Sequence, residues 1–71
     1  MLIYKDYYGV EVDKTGYDIE GGNVLYKNEK VGVFELESDS ALGSYYLITL
    51  NNGKQFHDHY FEDKDIIKHI V

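Results

Sequence analysis

The chain has 71 residues with no cysteine, no proline and no tryptophan. It is expected to be one small domain over residues 1–71, and neither disulfides nor thiolate-held metals can staple it. Thirteen acids against seven lysines give a net charge of −6, and arginine is absent. That balance argues against direct nucleic-acid binding, which leans on arginine for bidentate contacts to bases and phosphates, and points toward basic partners instead. No apolar run approaches the roughly 20 residues of a membrane span, and the first residues lack a basic-then-apolar leader, so no membrane contact and a cytoplasmic location are expected.

Residues 2–8 read as a first strand, with Leu2, Tyr4 and Tyr8 on one face and Ile3, Lys5 and Tyr7 on the other. Asp6 would share the face of Tyr4, so a bulge or an edge position is expected there. After Gly9, Val10-Glu11-Val12-Asp13 and Tyr17-Asp18-Ile19-Glu20 both alternate apolar with acidic around Lys14-Thr15-Gly16. That pattern predicts a tight hairpin over residues 10–20. Gly21-Gly22-Asn23 is the most flexible punctuation in the chain. A brief strand follows at 24–26 and a polar turn at 27–30. Residues 31–37 form a longer strand with Phe34 and Leu36 inward and Glu35 and Glu37 outward. Residues 38–44 are expected to be a loop, in which Leu42 is either folded back or presented to a partner.

The chain is organised around residues 45–61, where two strand-like runs (45–50 and 55–61) flank Asn51-Asn52-Gly53-Lys54. Asn-Gly is a strong hairpin signal because both residues tolerate φ > 0. Residues 62–69 carry acids first and cations last, the charge order of a short helix. Ile66 and Ile70, four apart, would fasten it across the mouth of a small barrel; a single turn followed by an edge strand at 67–71 is the alternative reading.

His57 and His59 place two imidazoles about 6.8 Å apart on one strand face, with Glu62 or Asp63 as a third ligand to zinc. The competing reading is that Phe56 and Tyr60 point inward while the histidines line a solvated face, and no metal site is assigned. On that register Asp58 also points inward, where it would bond a tyrosine hydroxyl, accept backbone N–H groups, or mark a bulge; the bulge or rim position is favoured. Catalysis has little support. No serine lies in a nucleophile elbow, Ser38, Ser40 and Ser44 share one loop, and nothing favours a triad from Ser40, His57 and Asp58. Neither a catalytic residue nor a cofactor is assigned.

Five or six short strands with Gly- or Asn-marked turns favour a partly open barrel over a flat sheet with two long edges. Residues 30–36 (Lys-Val-Gly-Val-Phe-Glu-Leu), residues 45–54 and Glu62-Asp63 together resemble the SH3-like small-barrel superfamily that includes Tudor and KOW-type domains. The likeness covers roughly residues 24–66. It implies an all-β, small antiparallel SH3-like barrel with a short C-terminal helical turn, in a superfamily that mostly binds proteins, peptides or nucleic acid. The chain has no assignable aromatic cage, no proline-ligand motif and no basic loop, so no binding residue is carried over.

Two surfaces compete for function. Glu11/Asp13, Asp18/Glu20 and Glu35/Glu37 are i, i+2 pairs, each projecting from one face of its own strand. Like charges opposed across a sheet cost about 0.2–1 kcal/mol per pair, which a basic partner would offset. This pattern resembles the small acidic inhibitors of phages and mobile elements, and implies a nucleic-acid mimic docking on a basic nucleic-acid-handling protein. The alternative is an adaptor or dimerisation module using Tyr7, Tyr45 and Leu42, since exposed tyrosine offers large contact area at low entropic cost. A homodimer is compatible with that second reading.

Overall fold

The structure is a computed structural model and describes residues 1–70. Five strands, β1 (Ile3–Asp6), β2 (Gly21–Tyr26), β3 (Glu29–Asp39), β4 (Gly43–Leu50) and β5 (Gln55–His57), form one antiparallel sheet in sequence order. β1 and β5 lie at opposite ends and do not pair, so the sheet is not closed. A five-residue helix, α1 (Asp63–Ile67), follows. The fold is therefore all-β with a short C-terminal helical turn.

Alternation along the strands supplies the core. Tyr4, Val24, Phe34, Tyr46, Ile48, Leu50 and Phe56 are buried on one face, joined by Leu2 and by Ile66 of α1. Phe34 is the hub, with Tyr4 and Tyr46 meeting it edge-on at 5.4 and 5.2 Å between ring centroids, the arrangement that aromatic quadrupoles favour. Val12 and Tyr17 pack on this cluster from one side, and Ile67 and Ile70 from the helical end. The Tyr4 hydroxyl donates to Asp63 Oδ1 at 2.9 Å, tying α1 to β1. Asp65 accepts from the Glu62 backbone N–H at 3.0 Å and so caps the helix start.

The central hairpin forms where the sequence places it, with a different turn. Only Gly53 of its loop has positive φ (90°). The Gly53 N–H donates to the Leu50 carbonyl and the Leu50 N–H to the Lys54 carbonyl, which makes a three-residue loop ending in a glycine bulge. The turn with two left-handed residues is instead Lys27-Asn28, at φ 52° and 68° between the paired Tyr26 and Glu29. The 38–44 loop is shorter than expected, because β3 runs to Asp39 and β4 starts at Gly43.

The predicted hairpin over residues 10–20 does not form. Asp6 Oδ1 accepts from the backbone N–H groups of Tyr8 and Val10, both at 2.9 Å. That turns the chain at Gly9 (φ 85°) and lays Glu11 against Lys5 of β1. Val12 N–H bonds the Tyr4 carbonyl, so the return segment covers the free edge of β1. Residues Lys14–Gly16 then make a 3₁₀ turn in which Asp13 Oδ1 accepts from Thr15 N–H and its hydroxyl. Gly21-Gly22 is not a flexible break but the buried start of β2. A methyl at Gly22 would run into the Lys5 carbonyl and sit 2.8 Å from Asp6 Cα, so glycine is what permits β1 to approach. The expected first strand ends at Asp6. Tyr7 and Tyr8 lie in the turn after it, both exposed, and Tyr8 does not share the buried face of Tyr4. The alternative C-terminal strand over 67–71 has no support in the described part: residue 67 ends α1, and residue 71 lies outside the described residues.

Candidate partner-binding surface

All six carboxylates singled out from the sequence (Glu11, Asp13, Asp18, Glu20, Glu35 and Glu37) are exposed. Among the described residues the one ion pair is Lys64–Glu62, at 3.5 Å between well-exposed side chains, so none of the six is in an ion pair, although Lys5 stands opposite Glu11 and the Lys14 charge acts on Asp13. They do not share one face. Glu35 and Glu37 alternate with the core residues Phe34 and Leu36, which puts them on the opposite side of the sheet. Asp13 and Asp18 belong to the segment laid over the core side, where Val12 and Tyr17 pack down. Glu20 lies beside β3, its carbonyl accepting from Leu36 N–H at 2.8 Å.

Apart from that Glu20–Leu36 bond the segment carrying Asp18 and Glu20 makes no strand pairing; a buried tyrosine holds it. The Tyr46 hydroxyl donates to the Ile19 carbonyl at 2.7 Å and accepts from Ile19 N–H at 3.3 Å. Burial pushes the Tyr46 hydroxyl pKa upward, keeping it protonated for that donation. One residue pair away, Asp58 accepts from Tyr46 N–H and from the Tyr17 hydroxyl, each at 3.0 Å. Tyr17 stacks on Tyr46 with ring centroids 5.3 Å apart, and desolvation first, then Asp58, raises its pKa. Asp58 thus does two of the things open to it from sequence, bonding a tyrosine hydroxyl and a backbone N–H at the end of β5. Beside this clamp, Asp6, Tyr7, Tyr8, Asp18, Ile19, Glu20 and Gly21 line an open cleft of about 280 Å³.

The tyrosine and leucine candidates separate. Tyr7 is 66% exposed on the turn after β1 and Leu42 46% exposed at the β3–β4 tip. The tip is held by Asp39 Oδ1, which accepts from Ala41 and Leu42 N–H at 2.7 and 3.0 Å; those two bonds hold the Asp39 carboxyl below its usual pKa. Tyr45 stands opposite Glu37 but is half-buried, its ring stacked on His57 at 3.8 Å and 10°. Tyr60, expected inward with Phe56, is 65% exposed because β5 ends at His57 and the chain turns.

The same turn takes the two histidines out of one strand face. His57 Nδ1 accepts from His59 N–H at 3.2 Å, and His59 Nε2 bonds the Ser44 carbonyl at 2.9 Å. His57 Nε2 is buried without a partner, and among the described residues no three metal-binding side chains converge. No helix of the described residues is long and apolar enough to cross a membrane. The feature that sequence reading missed is the Tyr46–Ile19 and Tyr46–Asp58 clamp; its one advance signal was Asp58, an acid between ring positions that an alternating strand would bury. Set against known proteins, the chain matches no family model, no curated protein and no solved structure.

Proposed function

We propose that the chain is a non-enzymatic acidic binding protein, of the kind an inhibitor of phage or mobile-element origin would be. It docks on the basic groove of a nucleic-acid-handling protein in place of nucleic acid. The observation that supports this is the set of exposed carboxylates free of ion pairs. Unpaired exposed acids leave a field that steers a basic partner and is not spent internally. The contact set is Asp18 and Glu20, which flank the Ile19 that Tyr46 holds and line the cleft with Tyr7, together with Asp13 at the 3₁₀ turn and Glu11 against β1. Glu35 and Glu37 point from the other side of the sheet and add to the long-range field rather than to the same contact.

The test is an affinity capture from host extract at low and high salt, followed by titration of the captured protein with the wild type and a Glu11→Lys/Asp13→Lys/Asp18→Lys/Glu20→Lys variant. Steep weakening with salt and loss in the reversed variant are expected. Binding that ignores salt and survives the reversals refutes the reading. A second reading, a protein-binding adaptor, draws on the exposure of Tyr7 and Leu42. It predicts loss of binding in Tyr7→Ala and Leu42→Ala with little response to salt.

A further inference from the structure

Two short stretches of sequence, Asp6-Tyr7-Tyr8 and Asp18-Ile19-Glu20-Gly21, form the walls of the open cleft of about 280 Å³. They meet because Asp6 of β1 pairs with Gly22, the neighbour of Gly21 on β2. Both walls are held in place. Asp6 Oδ1 fixes the first by accepting from Tyr8 and Val10 N–H, and the Tyr46 hydroxyl fixes the second at Ile19. Tyr7 reaches back across the gap: a methyl at Gly21 would sit 3.1 Å from its hydroxyl oxygen. Among the described residues, lysines lie over the rings of Tyr4 and Tyr26 but over neither Tyr7 nor Tyr8, and both of these are exposed.

Charge decides what can enter. Asp6, Asp18 and Glu20 bring three carboxylates to the cleft, no lysine lines it, and none of the three is in an ion pair among the described residues. Between them lie half-buried Ile19 and the buried backbone of Gly21. An anion is repelled here, and a purely apolar group would desolvate carboxylates without pairing them. The volume falls just under the ~300–1,000 Å³ of small-molecule sites, which is room for one side chain rather than a cofactor. We propose that the cleft receives a single arginine side chain of the basic partner, an inference that rests on the acidic-binding reading above and names its anchor. The methylene stem lies along Ile19 and Gly21, and the guanidinium stacks on a tyrosine ring and donates to Asp18 and Glu20. Asp6, with Oδ1 committed to the turn, adds its charge. Arginine is preferred to lysine because its planar, weakly hydrated fork pairs bidentately with carboxylates and stacks on aromatic faces. With both walls fixed beforehand, binding orders little of the chain.

The probe is the peptide acetyl-Gly-Gly-Arg-Gly-Gly-amide, titrated into the isotope-labelled full chain by amide NMR, with lysine and citrulline versions beside it. Shifts confined to residues 6–8 and 18–21 are expected. The arginine peptide should bind more tightly than the lysine one, and about tenfold more tightly than the uncharged citrulline one. Tyr7→Ser, which alters no charge, should weaken it about two- to fivefold, the value of an exposed cation–π contact. Asp18→Asn and Glu20→Gln should each weaken it about threefold. Glu29→Gln removes the same charge from the opposite end of the β2–β3 pair and should leave binding unchanged. No binding at millimolar peptide overturns the proposal, as do shifts centred elsewhere, arginine no tighter than lysine, or equal effects of Glu20→Gln and Glu29→Gln. Each of these failures is distinct from failure of the acidic-binding reading, which is seen as capture of a partner that ignores salt.

Discussion

Replacing Tyr46 with phenylalanine isolates one oxygen atom and with it the anchoring of the acidic segment. The Tyr46 side chain is fully buried and Ile19 is half-buried, so water replaces the lost bonds only in part. The change strands the Ile19 carbonyl, bonded at 2.7 Å, and weakens the position of its N–H, bonded at 3.3 Å. Leaving a buried neutral group unsatisfied costs about 1–3 kcal/mol; one short and one long bond point to about 2 kcal/mol. For a domain this small each kcal/mol moves Tm by about 4–8 °C, so a fall of about 8–16 °C is expected by thermal denaturation. Amide exchange at Ile19 should accelerate more than at Ile48 in mid-sheet. Tyr45→Phe is the internal control: no hydrogen bond to its hydroxyl is present among the described residues, and a change within about 0.5 kcal/mol is expected, as for ordinary surface substitutions. A Tm loss under about 2 °C in Tyr46→Phe, with Ile19 exchange unaltered, would refute the clamp.

Other expectations follow from the same packing. Gly22→Ala pushes a methyl into the Lys5 carbonyl and should cost about 1–3 kcal/mol or more as β1 is forced away, measured by urea unfolding. Lys27→Asn with Asn28→Gly gives the left-handed Lys27-Asn28 turn the Asn-Gly pair that such hairpins favour; a gain of about 1 kcal/mol is expected, since a lysine there holds a strained backbone. Burial, then the Asp63 carboxylate beside it, raises the Tyr4 pKa far above its ordinary value of 10.0. With the folded pKa above the unfolded one, the stability it contributes is complete below pH 10 and is lost as pH rises beyond. Chemical unfolding at pH 8 and pH 11 should show that loss, and Tyr4→Phe should shrink it. Asp13 behaves in the opposite sense: the Thr15 hydroxyl and N–H lower its pKa, so its contribution is present above the ordinary carboxylate range and disappears as pH falls. NMR titration should place its midpoint below that of a free aspartate.

The strands from 24 to 57 were legible because each carries its own partner signal nearby: Phe34 and Leu36 alternate with Glu35 and Glu37, and Gly53 closes the β4–β5 turn. The first twenty residues misled because alternation states which side chains share a face but not which strand lies alongside. Val10-Glu11-Val12 alternates as expected, yet Asp6 captures the N–H groups of Tyr8 and Val10 and folds it back onto β1 before Tyr17 is reached. An Asp-x-x-Gly pattern, in Asp6-Tyr7-Tyr8-Gly9 and again in Asp13-Lys14-Thr15-Gly16, marks such turns and was available in the letters. The tyrosine doublets separated for the same reason. Tyr45-Tyr46 lies in a strand and splits between two faces, whereas Tyr7-Tyr8 lies in a turn and shows both rings to solvent.

By itself the sequence determined that this is one small all-β chain with an unbalanced negative charge, because side-chain periodicity, glycine turns and formal charge are local properties. Only the tertiary structure decided where the carboxylates stand. Glu35 and Glu37 point from one side of the sheet, and Asp13 and Asp18 ride a segment laid over the other. The physical reason is that a segment without regular secondary structure takes its position from distant partners. Here those are the Tyr46 hydroxyl on Ile19 and the Asp58 carboxylate on Tyr17, contacts spanning 27 and 41 residues of chain.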